Sequence, residues 1–327
     1  MPTFSQNFAE FLPAFLCIVY KNCDFFAFLG SNSVRMLLAE IENGRAWRIK
    51  RDRAGTRLFA GLDANRNLSE ESMRTTIAAV SRMAEDARAL GAETVHLFAT
   101  SATRDAANGS VFAAMLEETG LALEIISGDE EAALSFQGAT DGGLCGVIDI
   151  GGGSTEIVVG REATLLTAFS CQMGAVRLHR ALPIRSQADL SAVRQAAADI
   201  LEQKLREHPD MAAPDKWIGT GGTFTTLAAM VRGVPWTDRT YMHGTEMTYE
   251  QIERWACTLA DMTVEERLQL PGMQPHRADI VVHGVCILLA VMQRLGIDCI
   301  RVSEYGNLDG YMKRRYGISG EIARKRE

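Results

Sequence analysis

Residues 146–160, Gly-Val-Ile-Asp-Ile-Gly-Gly-Gly-Ser-Thr-Glu-Ile-Val-Val-Gly, run as an apolar strand into three glycines and leave as a second apolar strand. That order restricts the local fold to a β-hairpin. A dinucleotide fingerprint or a Walker loop opens a helix after its glycines, whereas Ile157, Val158 and Val159 continue as strand. Glycine accepts positive φ and carries no Cβ, so the N–H groups of Gly151, Gly152 and Gly153 are expected to converge on an anion, with the Ser154 and Thr155 hydroxyls beside them. Asp149 sits at the rim, where a carboxylate suits a divalent cation. An ordinary glycine-rich hairpin with one edge aspartate has the same pattern, and the rest of the chain has to decide between the two.

A weaker copy of the pattern lies near the start, where Ala27-Phe28-Leu29 leads through Gly30, Ser31, Asn32 and Ser33 into Val34-Arg35-Met36-Leu37-Leu38. Two such hairpins predict two similar lobes. A third glycine cluster, Gly219-Thr220-Gly221-Gly222-Thr223, follows a short apolar run and opens into a helix-like stretch, Phe224 to Met230, whose small residues let a backbone approach a ligand. Between the hairpins, Ser127 to Glu130 reads as a capping box: the serine hydroxyl accepts the N3 amide and the glutamate reaches back to the serine N–H. Glu130 therefore has a structural task. Glu131 lies about 100° further around the helix and is left for chemistry.

The stretches Ala99 to Asn108, Ile126 to Ala132, Asp149 to Glu156 and Gly219 to Thr223 resemble, in order and spacing, the consecutive motifs of the exopolyphosphatase and guanosine pentaphosphate phosphatase family. The likeness runs from about Leu29 to Met312. It implies an α/β, two-lobed fold of the actin, hexokinase and sugar-kinase (ribonuclease H-like) type, divided as an unassigned 1–25, a first lobe over 26–134, a second over 135–305 and a C-terminal helix over 306–327 that packs back on lobe one. It also implies Mg²⁺-dependent hydrolysis of the terminal phosphoanhydride of inorganic polyphosphate or of guanosine pentaphosphate. Longer members carry an extra helical C-terminal domain that the end of this sequence leaves no room for.

Composition agrees. A chain of 327 residues with 47% hydrophobic content has the length for two cores. No run of 18 apolar residues occurs, so no membrane partner is expected. Seven scattered cysteines without Cys-x-x-Cys spacing suggest reduced thiols in the core of a cytoplasmic protein. The net charge of −7 argues against a nucleic-acid partner but is uneven: residues 45–57 carry +5 and the last fifteen +4, which leaves −16 for the remainder. Local basic patches on an acidic body suit a polyanion steered to one cleft, although solvated strand and tail charges account for either patch alone. A homodimer is compatible with all of this.

Phosphoanhydride hydrolysis needs charge neutralisation on the phosphoryl oxygens and a group that positions or deprotonates water. Glu131 is the candidate for the second role and Asp149 for Mg²⁺. Glu156 is expected either to reach the metal through water or to hold the second turn. The phosphates fall to Gly30, Ser31, Asn32 and Ser33, to Gly151 through Thr155, and to Gly221 and Gly222. Arg104 matches the family arginine that meets substrate, Arg35 is more readily explained by a salt bridge, and His283, inside an apolar helix, is expected to be packed.

Two positions depart from the family pattern. An aspartate normally stands two residues before the first hairpin glycine, where this chain has Phe28, and the closing Gly-Leu-Arg-Glu-Gly reads Gly306-Asn307-Leu308-Asp309-Gly310. An aromatic ring at 28 takes a negative charge out of a Mg²⁺ shell and predicts low activity, unless a one-residue slip turns the position into the core. Asp24 is too far along the strand to substitute, by roughly 13 Å. Residues 1–25 match nothing in the family and resemble neither a signal peptide nor a strand, as a replaced 5′ end would. A phosphotransferase of the same superfamily and a weakened polyphosphate or alarmone sensor are the readings from other classes.

Overall fold

The structure is a computed structural model that describes residues 20–140, 142–238, 241–318 and 322–324. Strands β1 (Cys23–Leu29), β2 (Val34–Glu42) and β3 (Arg45–Ala54) form an antiparallel meander. Helix α1 (Glu70–Ala89) leads to β4 (Ala92–Ala99), parallel to β1; α2 (Ser101–Arg104) and α3 (Gly109–Glu117) lead to β5 (Leu123–Ile125), parallel to β4. Helix α4 (Gly128–Ala139) then crosses to a second meander, β6 (Leu144–Ile150), β7 (Thr155–Arg161) and β8 (Thr164–Cys171). After α5 (Ala175–Ala181) and α6 (Leu190–Glu207) comes β9 (Lys216–Thr220), parallel to β6. Next are α7 (Gly222–Arg232), β10 (Glu246–Thr248), α8 (Tyr249–Ala260), α9 (Val264–Leu268), α10 (Val281–Leu295) and β11 (Cys299–Val302), which lies parallel to β9. Helix α11 (Asn307–Tyr316) and β12 (Ala323–Arg324) return to the first sheet.

The sheets run β12-β3-β2-β1-β4-β5 and β10-β11-β9-β6-β7-β8. Within them the order 3-2-1-4-5 is repeated as 8-7-6-9-11, a duplicated ribonuclease H-like unit, which is the two-lobed actin and hexokinase architecture. Strands β1 and β6 are apolar apart from Asp24 and Asp149 because they lie inside their sheets and are covered on both faces. Along β1 the two faces alternate with the strand period of two: Phe25, Ala27 and Leu29 join the core under α1 and α3, while Phe26 and Phe28 join another with Leu308, Tyr311 and Met312 of α11. On the second sheet, Ile148 and Ile157 face α7 and α10, and Val147 and Val158 face Ala132 and Phe136 of α4. Between the sheets, α4 lies on the second and α11 on the first.

These two helices meet backbone to backbone. A Cβ on Gly138 would stand 2.0 Å from the Gly306 carbonyl oxygen, and one on Gly310 would stand 1.9 Å from that of Leu134. No other residue fits either place.

Several expectations change. The first strand begins at Cys23, within the unassigned 1–25 segment, and Cys23 and Phe25 have no exposure; residues 1–19 lie outside the described ones. The apolar helix that holds His283 begins at Val281, and Pro275–Arg277 form a single 3-10 turn ahead of it. Among the cysteines, Cys23, Cys145, Cys171 and Cys286 are buried as expected, but Cys299 is exposed at the head of β11.

The basic stretch 45–57 is largely consumed inside the protein. Arg48 is 6% exposed, bonded to Glu304 at 3.2 Å and Asp309 at 3.0 Å, and its guanidinium stacks 3.9 Å from the centroid of Tyr305. Arg51 pairs with the same two carboxylates, Arg53 donates to Gln274 and Arg57 pairs with Asp279. The carboxylates of Glu304 and Asp309 therefore take up the charge on Arg48 and Arg51 that was assigned to steering a polyanion.

Gly310→Ala should lower the melting temperature by several degrees, since overpacking a tight contact costs about 1–3 kcal/mol and here the colliding atom is a backbone carbonyl. An unchanged thermal unfolding curve would mean that α4 and α11 do not touch as described.

Candidate active site

Both hairpin tips close with the same hydrogen bond: the Gly30 N–H donates to the Ser33 carbonyl at 3.1 Å and the Gly151 N–H to that of Ser154 at 3.0 Å. Neither Gly30 nor Gly151 to Gly153 has positive φ. The reason for glycine here is the approach of one tip to the other. A Cβ on Gly152 would stand 2.7 Å from the Ser31 Cβ, and one on Gly153 would stand 2.6 Å from the Ser101 Oγ. The cleft between the tips is lined by Phe28, Gly30, Ser31, Asn32, Ser33, Arg35, Thr100, Ser101, Glu131, Asp149, Gly151, Gly152, Ser154, Gly221, Gly222, Arg277 and Asn307.

Helix α4 delivers Glu131 to this cleft. The capping box at its start is complete: Ser127 accepts from the Glu130 N–H at 3.2 Å, and Glu130 accepts from the Ser127 N–H at 2.9 Å. That bond holds the Glu130 carboxyl below its ordinary pKa. One residue on, Glu131 is 4% exposed, and burial pushes its carboxyl up to about 7 against the opposing pull of Arg104. The Arg104 Nη1 is 3.0 Å from the Ile126 carbonyl oxygen and 3.5 Å from the Glu131 Oε2. Arg104 thus stands beside the glutamate, without lining the cleft itself.

Asp149 and Glu156 face each other directly across the β6–β7 ladder, an arrangement that costs free energy for like charges. Ser135 donates to one Asp149 oxygen at 2.7 Å and Ser170 to one Glu156 oxygen at 2.8 Å. The other Glu156 oxygen, Oε2, is buried with no hydrogen-bond partner, and burial together with Glu131 and Asp149 drives this carboxyl well above its ordinary pKa. Such a cluster gains from a cation. Among the described residues no three His, Cys, Asp or Glu side chains form a ready-made cage, so a metal here would complete its shell with water and substrate oxygens, as Mg²⁺ does at phosphate sites.

The cationic side is supplied by residues that sequence reasoning undervalued or missed. Arg35 makes no ion pair among the described residues; its Nη2 donates to the Asn307 Oδ1 at 3.3 Å, and burial lowers its pKa. Arg277 is 7% exposed, makes no ion pair among the described residues, and has its pKa lowered to about 10 by burial. Its guanidinium lies on Gly222, where a Cβ would stand 1.8 Å from the Cζ. Gly221, with φ of 92°, starts α7 against Asp149, so an eleven-residue helix directs its free N–H groups to the same place. A lone arginine on a 3-10 turn carries no periodic signal, and nothing in the sequence near Arg277 announces it.

Other expected phosphate ligands do different work. The Thr155 hydroxyl is fully buried and donates to the Met173 carbonyl at 2.6 Å, away from the cleft. Gly153 lies beside the cleft, packed on Ser101, with its carbonyl accepting from Arg177 at 2.7 Å. Because the Gly151 N–H is spent on Ser154, the three glycine amides do not converge on one anion. Glu156 sits behind the cleft floor. His283 is packed, its Nε2 2.9 Å from the Leu182 carbonyl oxygen. Phe28 keeps its register, pairing with Arg35 on β2 and Phe98 on β4, and faces the cleft while 5% exposed.

The sequence profile of the Ppx/GppA phosphatase family matches residues 37–315. Exopolyphosphatase 2 of Mycobacterium tuberculosis (strain ATCC 25618 / H37Rv) is 35% identical over 305 residues, which span 86% of this chain and 94% of that protein. Among solved structures, an exopolyphosphatase-like protein aligns with a TM-score of 0.82 at 26% identity, covering 90% of this chain and 97% of its own. The Aquifex aeolicus member of the Ppx/GppA family aligns with a TM-score of 0.74 at 27% identity, again over 90% and 97%.

The raised Glu131 pKa has a thermodynamic sign. The folded protein keeps this proton up to about pH 7, and the unfolded chain releases it near the ordinary 4.5, so stability from this group falls as pH rises through that window. In chelator, the melting temperature should decline between pH 5 and 8 more steeply for the parent protein than for Glu131→Gln. Parallel curves for the two proteins would remove the perturbation.

Proposed function

From the premise that the chain belongs to the Ppx/GppA phosphatase family and is a phosphoanhydride hydrolase, we propose that it removes the terminal phosphate of inorganic polyphosphate, with Mg²⁺ as its cation. The observation that carries this reading is the position of Glu131 on a capped helix, buried and facing two hairpin tips. The similarity to an exopolyphosphatase over most of both chains supports the substrate. Guanosine pentaphosphate, which carries the same terminal phosphoanhydride, is the competing substrate.

In this mechanism Ser31, Ser33, Ser154 and the α7 N-terminus hold the terminal phosphoryl group, while Arg35 and Arg277 balance its charge. Asp149, fixed by Ser135, and Glu156 behind it would hold Mg²⁺, which would neutralise phosphoryl oxygens when bound. Glu131 takes the proton of the attacking water. A base with a pKa near 7 is half ionised at neutral pH and strong enough to accept that proton. Arg104, bonded to the Ile126 carbonyl, keeps the carboxylate aimed. The cytoplasm is the compartment in keeping with the six free thiols among the described residues, in which no helix is long and apolar enough to cross a membrane.

Phosphate release should be measured from polyphosphate, guanosine pentaphosphate and ATP, with and without Mg²⁺. Glu131→Gln should reduce kcat on polyphosphate by about 10²–10⁴ with the fold retained, whereas Glu130→Gln should mainly cost helix stability. Comparable turnover by Glu131→Gln and the parent protein would sink the assignment.

Asp149→Asn should raise the Mg²⁺ concentration needed for half-maximal rate and lower the maximum, because a neutral amide does not balance the cation. Activity that persists in EDTA would contradict a metal role for this residue.

A further inference from the structure

Position 28 is where the chain departs from the family pattern at the cleft, and the strand register defines what its ring does. Phe28 lies directly opposite Arg35 in the β1–β2 ladder, and the Arg35 guanidinium sits 4.5 Å from the centroid of the Phe28 ring. On its other side Phe28 meets Phe98, centroid to centroid 5.3 Å, and Phe98 stacks on Tyr311 of α11 at 4.4 Å with the planes 6° apart. The ring is therefore backed by a rigid aromatic column. Arg35 has two direct contacts, the face of Phe28 and the amide oxygen of Asn307, and both are neutral; the Asp149 and Glu131 carboxylates act on its charge from across the cleft without forming an ion pair.

Neutrality is the point. Residues directly opposite in an antiparallel pair have Cβ atoms about 4.5–5.5 Å apart, within reach of an ion pair. A carboxylate at 28 would engage the Arg35 guanidinium and cancel its charge; an aromatic face holds the same guanidinium by its quadrupole and leaves the charge available. The second departure fits the first. Leu308, where the family pattern has arginine, lies in the same apolar cluster as Phe28, Phe98 and Tyr311. One negative and one positive side chain are thus both replaced by apolar ones, and the cluster is left without an unpaired charge.

We propose that Phe28 is a positioning residue that holds Arg35 as an uncommitted cation over the cleft, giving this protein tighter capture of the substrate's phosphates than a carboxylate at this place would allow. The inference rests on the phosphoanhydride reading of the cleft. It acts on binding, so it separates from the chemistry at Glu131.

The test is calorimetric binding of inorganic tripolyphosphate in the Glu131→Gln background, where the probe is not consumed. Phe28→Leu keeps an apolar side chain and removes the π face; it should weaken binding by about fivefold. Phe28→Asp should weaken it by more than tenfold, provided it folds. In an Arg35→Ala background Phe28→Leu should have no further effect, a coupling that a merely structural role would not produce. In the active protein the same Phe28→Leu change should raise KM and leave kcat nearly unaltered. Equal affinity with Phe28→Leu, the same loss with and without Arg35, or tighter binding by Phe28→Asp would overturn the proposal. Binding without phosphate release by the parent protein overturns only the hydrolase reading, and absence of binding overturns both.

Discussion

Glu131 reaches the cleft because α4 and α11 touch without side chains between them. Gly138 and Gly310 bring the two backbones together, and each helix carries one sheet on its outer side, so this contact fixes the separation of the lobes. The hairpin tips then meet at Gly152 and Ser31 with no room for a Cβ. Moving either helix outward by the width of a methyl group would part the tips and withdraw Glu131 from the phosphoryl position. The Arg48 and Arg51 pairs with Glu304 and Asp309 lock the same joint from the β3 side.

The joint assembles a cleft that is electrostatically unfavourable in isolation. Asp149, Glu156 and Glu131 repel one another, while the half-buried Arg35 and the buried Arg277 form no ion pair among the described residues, although Asp149 lies near enough to act on both. In most cores such groups would pair off and silence each other. Here Arg104 pairs with Glu131, but Arg35 and Arg277 stop short of an ion pair, Arg35 on an aromatic face and Arg277 on Gly222. A phosphoanhydride bound with a divalent cation would satisfy both sets at once.

What was legible in the sequence was local. The apolar-glycine-apolar order sets the hairpins, and the capping box separates Glu130 from Glu131, because both features are written in contiguous residues. The errors came where the deciding partner lies far along the chain. Arg48 and Arg51 read as a surface patch until Glu304 and Asp309, more than 250 residues away, are seen to take their charge. Thr155 has the right residue type and the wrong orientation, since alternation along β7 turns its hydroxyl toward Met173. Gly151 to Gly153 suggest positive φ and convergent amides in the sequence; the structure has neither, and Gly152 and Gly153 instead admit Ser31 of the other hairpin.

The two departures from the family pattern acquire meaning only through the fold. Taken singly in the sequence, Phe28 suggests a missing acid and Leu308 a missing base, and each looks like damage. In the structure they belong to one cluster on one face of β1, where two apolar groups keep charge out of the cluster itself. A carboxylate at 28 would face Arg35 across the β1–β2 ladder and take up its charge. With the ring in place, the Arg35 guanidinium lies 4.5 Å from the Phe28 centroid, held by a π face where an acid would have neutralised it.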